Sequence, residues 1–282
     1  MFLLNRGKAI VLSCASISQA SYYTTAKRLD ENYTHFGYKT VKTEEKAGRV
    51  LDVFSSVASK YDMMNDVMSG GLHRLWKDRM IQKLNPDNKA VLLDCAGGTG
   101  DIAFRFVNYV ERQHSQFTDH PNVTVCDINN DILEVGKSRA LERGVSLNWV
   151  CSNAEELPFP DQSFTCYTIA FGIRNCTNIS KVLQEAYRVL RPGGRFVCLE
   201  FSHVSNPILS KIYDTYSFQV IPVMGEVIAG DWNSYQYLVE SIRKFPAADE
   251  FKQMISNVGF KVVAYEPLTF GTCAIHSGFR LK

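Results

Sequence analysis

From about residue 89 the chain alternates short, almost wholly apolar runs with longer amphipathic ones. "AVLLDCA" (90–96), "NVTVCDI" (122–128), "SLNWVCSN" (146–153), "SFTCYTIAFGI" (163–173) and "RFVCLEF" (195–201) have the length and β-branched content of buried strands. Between them "GGTGDIAFRFVNYVERQ" (97–113) reads as a turn and helix. "DILEVGKSRALERG" (131–144) and "NISKVLQEAYRVLRPGG" (178–194) read as helices, the second ended by Pro192 and two glycines. A helix at "AADEFKQMISNVGF" (247–260) precedes two more strands, "KVVAYEPL" (261–268) and "GTCAIHSGFR" (271–280). The short Thr-Phe-Gly link between those two suits an antiparallel pair. Apolar strands alternating with helices predict an α/β fold, with a seven-stranded, mostly parallel sheet covered by helices on both faces.

Two stretches fall outside this alternation. Residues 31–88 precede the first strand and read as largely helical. Residues 203–247 fall between the fifth strand and its helix and are rich in aromatic and aliphatic side chains. So long an insertion in a compact domain is usually functional. Its two readings are a substrate cover and a helical addition packed on the sheet edge. There is no internal repeat and no low-complexity tract.

Charge narrows the class. The net charge of the 282 residues is +2, but four of the 31 basic residues and none of the 29 acidic ones lie in residues 1–29. The rest of the chain is slightly acidic, which excludes an extended nucleic-acid surface. No apolar run reaches the ~18 residues of a membrane helix. The basic, Ser/Thr-rich opening, acid-free up to Asp30, has the composition of a mitochondrial transit peptide over residues 1–30. A secretory signal and a plain disordered tail are the alternatives. The eight cysteines are scattered without a CxxC pair, which fits reduced packing residues and points to no metal site.

The candidate chemistry begins at "DCAGGTGDIA" (94–103). Gly98-Thr99-Gly100 and Ala103 form a GxGxxA pattern between a strand and a helix, where backbone can approach a nucleotide-type ligand. A dinucleotide would set its pyrophosphate against the helix N-terminus. Asp94 and Asp101 flank that turn and would repel it. They suit a ligand with an ammonium and a sulfonium, S-adenosylmethionine, over the nicotinamide cofactor of an oxidoreductase. Asp127 ends the second strand, where a carboxylate takes both ribose hydroxyls or simply caps the next helix. Asn153 beside the small Ala154 leaves room for an adenine edge, or makes a plain turn.

Two longer stretches carry a resemblance. "YDMMNDVMSGGLHRLW" (61–76) and "RVLRPGGRFVCLEFS" (188–202) resemble the two signatures of the ubiquinone/menaquinone biosynthesis C-methyltransferases. "HFGYKTV", "SVASKYD", "LDCAGGTGD", "ELPFPD", "FGIRN" and "SYQYLVESIR" are similar to further family segments, from about residue 35 to the C-terminus. The departures are Arg191, where the family usually has Lys, and an extra surface loop at 113–122. The resemblance implies a class I S-adenosylmethionine-dependent methyltransferase fold over residues 31–282, Rossmann-like, with helical additions on the substrate side. It implies cofactor contacts at Thr99, Asp127, Asn153 and Ala154, beside Gly98. The implied reaction is methyl transfer to a ring carbon of a polyprenylated quinol. With a transit peptide, the substrate becomes a 2-methoxy-6-polyprenyl-1,4-benzoquinol. The implied setting is a mitochondrial ubiquinone-synthesis complex, peripheral on the matrix side of the inner membrane, with a homodimer as a further candidate state. A methyltransferase-like scaffold without turnover is the alternative function.

The end of the fourth strand, "FGIRN" (171–175), lies beside the methyl donor in such a fold. Arg174 and Asn175 are therefore expected to face the substrate as catalytic residues. Strand-end burial against a surface carboxylate is the competing reading. A guanidinium does not give up its proton in a protein, so Arg174 would act by charge or by holding a water. His276, on the last strand, is a weaker candidate base and equally a packed strand residue.

Overall fold

The computed structural model describes residues 32–57, 61–113 and 122–282. The expected transit peptide and most of the expected surface loop lie outside the described residues. The described chain opens with a hairpin, β1 (Tyr33–Phe36) and β2 (Lys39–Lys42), followed by helices α1 (Thr43–Val57), α2 (Tyr61–Ser69) and α3 (Leu72–Leu84). The hairpin corrects the helical expectation for this stretch. Gly37 turns it with φ +57°, and Phe36 stacks on Tyr237 at 4.2 Å between ring centres.

The sheet follows from β3 (Val91–Cys95), β4 (Asn122–Asp127), β5 (Asn148–Cys151), β6 (Phe164–Ala170), β7 (Leu190–Phe201), β8 (Lys261–Leu268) and β9 (Cys273–Phe279). Their spatial order is β5-β4-β3-β6-β7-β9-β8. The first five are parallel, and β9 runs antiparallel between β7 and β8. Consecutive strand residues serve opposite faces. Leu93, Tyr167 and Phe196 pack under α6 (Ile179–Val189) and α10 (Ala248–Val258). Leu92, Val125 and Val197 pack under α3 and α4 (Asp101–Gln113), with α5 (Asn130–Arg143) contributing Leu133. This two-sided burial is why the strands read as continuous apolar runs.

Helix α6 ends earlier than its glycines suggest. It stops at Val189, and Arg191–Gly194 already belong to the β7 span. There the Gly193 N–H donates to Arg280 O (2.6 Å) and the Arg280 N–H to Gly194 O (2.9 Å).

Residues 203–247 form a helical cap: α7 (Pro207–Thr215), α8 (Ile221–Met224) and α9 (Trp232–Lys244). Two π-turns, Tyr216–Val220 and Gly225–Ala229, widen the run before and after α8. Pro222 has no N–H for a regular turn. Gly225 is forced by packing, since a Cβ there would lie 2.2 Å from the Tyr235 ring. Among the described residues no helix is long and apolar enough to cross a membrane.

Candidate active site

Strand order reverses between β3 and β6, the place where open α/β sheets bind ligands beyond their strand ends. Two adjoining cavities lie there. The first is a cleft lined by Gly97, Gly98 and Thr99 of the turn, by Asp127, by Asn153 and Ala154, and by Asn175. The glycines are required by crowding. A Cβ on Gly97 would sit 2.7 Å from Val125 Cγ1 and 2.8 Å from Asp94 Oδ2, and one on Gly100 2.8 Å from the Trp149 ring. Gly98 (φ +55°) and Gly100 (φ +83°) also hold left-handed backbone.

Asp127 is fixed by backbone. The Gly98 N–H donates to its Oδ2 and the Asn129 N–H to its Oδ1, both at 2.9 Å. Burial raises its pKa above the ordinary carboxylate value, and these amides oppose the rise. The cap of α5 is Asn129, whose side chain accepts from the Asp131 and Ile132 amides, so the Asp127 carboxylate is left to the cleft. Thr99 Oγ1 accepts from Arg139 Nη1 (3.0 Å). Asn153 Oδ1 accepts from the Glu155 N–H (3.0 Å), and Ala154 is buried.

The two aspartates that flank the turn behave differently from each other. Asp101 accepts from Lys77 Nζ (2.7 Å) and Arg105 Nε (3.0 Å). Burial opposes its charge, but the two cations outweigh burial and hold the carboxyl below its usual value. Its charge is therefore spent within the protein, which corrects its expected part in selecting a cationic ligand. Asp94 is fully buried and accepts from Thr168 Oγ1 at 2.9 Å on Oδ1; among the described residues no side chain pairs with Oδ2, and the Ala103 amide favours its charged form. Burial first of all pushes its pKa up to about 7. A buried carboxylate beside the turn is stabilised by an ammonium or sulfonium and repels a phosphate. The cleft thus fits S-adenosylmethionine, acidic at the glycine turn, with the Asp127 carboxylate and the small, amide-bearing Asn153–Ala154 pair on its walls.

The second cavity shares Phe54, Lys77 and Phe171 with the first. Its walls are apolar and aromatic, from Met64, Met68 and Trp76 of α2–α3 and from the cap. Tyr213, Tyr216 and Ile221 line the cavity; Phe218 and Met224 pack behind it with Tyr235 and Val239; Val223 is 46% exposed.

Arg174 and Asn175 sit on a single 3-10 turn, Ile173–Asn175, after β6. Gly172 allows that turn, because a Cβ there would meet Ala96 Cβ at 2.5 Å. Arg174 lines the apolar cavity but is not free. Its Nη1 donates to Glu200 Oε1 (3.0 Å) and to Phe171 O (2.6 Å), its Nε to Ser241 Oγ (3.3 Å), and its guanidinium lies over Phe201. The partner is the buried Glu200 of β7, not a surface carboxylate. Burial raises the Glu200 pKa and Arg174 opposes that rise. Nη2 makes no hydrogen bond among the described residues. Asn175 lines the cleft, and its Oδ1 accepts from the Tyr237 hydroxyl (3.0 Å). His276 is elsewhere: its Nε2–H donates to Ala248 O (2.9 Å), it packs between Phe251 and Tyr265, and burial drops its pKa to about 4. It is a packed strand residue.

Sequence reasoning missed Glu200 and Tyr237. The signal for Glu200 was a lone acid in the apolar run "FVCLEF". Tyr237 is one of several tyrosines in its segment and carries no local signal.

A parallel sheet in this order, closed by an antiparallel hairpin at one edge, with a glycine turn after its first strand and an acid after its second, defines the class I methyltransferase fold. An S-adenosylmethionine-dependent methyltransferase of Thermotoga maritima shares it, with TM-score 0.55 and 17% identity over 81% of this chain and 98% of that one. Residues 39–280 match the ubiE/COQ5 methyltransferase family, and the chain belongs to it. It is 57% identical to the mitochondrial 2-methoxy-6-polyprenyl-1,4-benzoquinol methylase of Homo sapiens, covering 88% of this chain and 84% of that protein. The Dictyostelium discoideum protein of the same name is 53% identical over 96% of this chain and 94% of its own length.

Proposed function

We propose that this methyltransferase transfers the methyl group of S-adenosylmethionine to a ring carbon of 2-methoxy-6-polyprenyl-1,4-benzoquinol in mitochondrial ubiquinone synthesis. The observation that carries the reading is the shared wall between an acidic glycine-turn cleft and an apolar aromatic cavity. When bound, S-adenosylmethionine supplies an electrophilic methyl on a sulfonium. Asp127 takes the ribose hydroxyls, Asn153 and Ala154 the adenine, and the Gly98–Thr99 backbone the methionine end. The cap and α2–α3 bury the ring and the first part of the prenyl tail.

Ring positions 3 and 5 are the unsubstituted carbons of this quinol, and both flank the 4-hydroxyl. Loss of the 4-hydroxyl proton therefore activates either carbon. Arg174 offers Nη2 to the developing oxyanion, with its charge moderated by Glu200, and Asn175 offers its amide nitrogen. These roles are proposals for residues 174 and 175, as are the cofactor contacts. Residues 1–30 act in this reading as the import sequence and 31–282 as the catalytic unit. The enzyme works peripherally on the matrix face of the inner membrane, within a complex of quinone-synthesis proteins, as a monomer or a homodimer.

Calorimetric titration with S-adenosylmethionine and, separately, NADH tests the cofactor assignment. Saturable binding of the first alone is expected; preference for NADH would return the chain to the oxidoreductase reading. The Asp94 carboxyl gives the cofactor a pH dependence. Its pKa is raised in the folded state, so its charged form costs stability as pH climbs from about 4 to about 7. A bound cation recovers that cost. Affinity for S-adenosylmethionine should therefore rise with pH through 7, with proton release on binding near neutrality. Equal heats in buffers of different ionisation enthalpy at pH 7 would rule this out. Asp94→Asn should abolish the dependence.

A further inference from the structure

His73 of α3 has no part in the site so far. It lines the same apolar cavity as Arg174, and its ring is almost wholly buried. Its Nε2 pairs with Asp66 Oδ1 of α2 at 2.8 Å. Since a carboxylate only accepts, Nε2 carries the hydrogen and Nδ1 keeps its lone pair. Among the described residues, that Nδ1 is buried without a hydrogen-bond partner. His35 and His276 also leave Nδ1 unpartnered, but His73 lines the cavity, where a ligand would satisfy it.

Asp66 is itself held. Arg74 Nε and Nη2 donate to its two oxygens at 2.7 and 2.6 Å. Hydrogen bonds from Arg74 and then from His73 keep its carboxyl far below the ordinary range. The ring is thus fixed in one tautomer by an acid that stays ionised, a base with an orienting carboxylate.

We propose that His73, oriented by Asp66, is the base that accepts the 4-hydroxyl proton of the quinol. This rests on the proposed quinol substrate. The O–H bond breaks, its electron pair stays on oxygen and enriches carbons 3 and 5, and the proton forms an N–H bond at Nδ1. Carbon methylation by a sulfonium releases one proton overall. Once the ring carbon carries the methyl, its C–H proton moves to the 4-oxygen, which restores the hydroxyl and aromaticity, and the imidazolium releases the first proton to solvent. Arg174 then stabilises the oxyanion without having to lose a proton.

The charges around the ring set its titration. Burial lowers its pKa from the usual histidine value, Asp66 raises it, Lys77 of α3 lowers it, and Asp101 of α4 raises it. The ring is therefore neutral at matrix pH and ready to accept. Deprotonation is the competent state, so kcat should fall as pH drops through the histidine pKa.

The test measures kcat against pH for the full chain, with S-adenosylmethionine and a short-prenyl 2-methoxy-6-prenyl-1,4-benzoquinol, alongside the His73 ring resonance by NMR titration. His73→Gln should lower kcat ~100-fold or more and erase the acid limb, with unchanged S-adenosylmethionine affinity. Asp66→Asn removes the neighbour that raises the pKa, so both the acid limb and the ring resonance should move to lower pH. A His73→Gln protein with the wild-type limb overturns the proposal. If that variant fails to bind S-adenosylmethionine because it is misfolded, Asp66→Asn decides, and an unmoved limb is the negative result. A wild-type chain that binds S-adenosylmethionine but leaves the quinol unmethylated refutes the substrate reading instead.

Discussion

Arg174→Ala should destabilise the folded chain by ~3–5 kcal/mol, because it strips the counter-charge from a buried carboxylate. Glu200 is 1% exposed, and its Oε1 takes Arg174 Nη1 at 3.0 Å. The backbone amides of Phe201 and Arg174 also favour its charge, but burial already raises its pKa against all of them. Without Arg174 that pKa climbs further. A raised folded pKa means stability is lost as pH rises from the unfolded value through the folded one. The loss should therefore be larger at pH 8 than at pH 5 in urea denaturation. Arg174→Ala combined with Glu200→Gln should recover part of it. A single Arg174→Ala variant as stable as wild type at pH 8 would show that the ion pair contributes nothing. For catalysis the cleaner variant is Arg174→Lys, which keeps a charge near Glu200 and loses the planar fork. Methyl transfer in that variant should slow markedly while S-adenosylmethionine affinity holds; in Arg174→Ala, where folded, the slowing should reach ~100-fold or more.

Asp127→Ala should weaken S-adenosylmethionine binding by ~30- to 1000-fold, about 2–4 kcal/mol, through loss of charge-assisted hydrogen bonds to the ribose. The side chain also receives the Gly98 and Asn129 amides, so its removal frees two backbone donors at the glycine turn. Asp127→Asn keeps one acceptor and should fall between wild type and Ala. Calorimetry on variants with wild-type circular dichroism settles it. Unchanged affinity in folded Asp127→Ala would separate Asp127 from the cofactor.

The sheet was legible because burial on both faces writes each strand as an apolar run, and the glycine turn because crowding leaves no alternative to Gly97 and Gly100. The antiparallel edge was legible from the short Thr-Phe-Gly link between its last two strands. The β1–β2 hairpin was not. Its four-residue strands are mostly exposed or half-buried, and what holds them is distant: Phe36 on Tyr237, and the Tyr38 N–H on Glu240 Oε2 at 2.9 Å. The site was legible as far as single residues go. Asp127, Asn153 and Asn175 reach one cleft because each ends or follows a parallel strand. Pairings across the sheet were not legible. Nothing local joins Arg174 to Glu200, 26 residues away, or Asp101 to Lys77, 24 residues before it. Those two pairings changed the chemistry most, since one moderates the proposed oxyanion partner and the other leaves Asp94 as the acid of the glycine turn.

The central claim is carbon methylation of a polyprenylated quinol, and the position of a transferred label tests it most directly. The purified chain is incubated under reducing conditions with methyl-labelled S-adenosylmethionine and a short-prenyl 2-methoxy-6-prenyl-1,4-benzoquinol, and the product is fragmented by mass spectrometry. The account predicts one labelled methyl on a ring carbon beside the 4-hydroxyl. Label on a hydroxyl oxygen, or no label in a chain that binds S-adenosylmethionine, would contradict it.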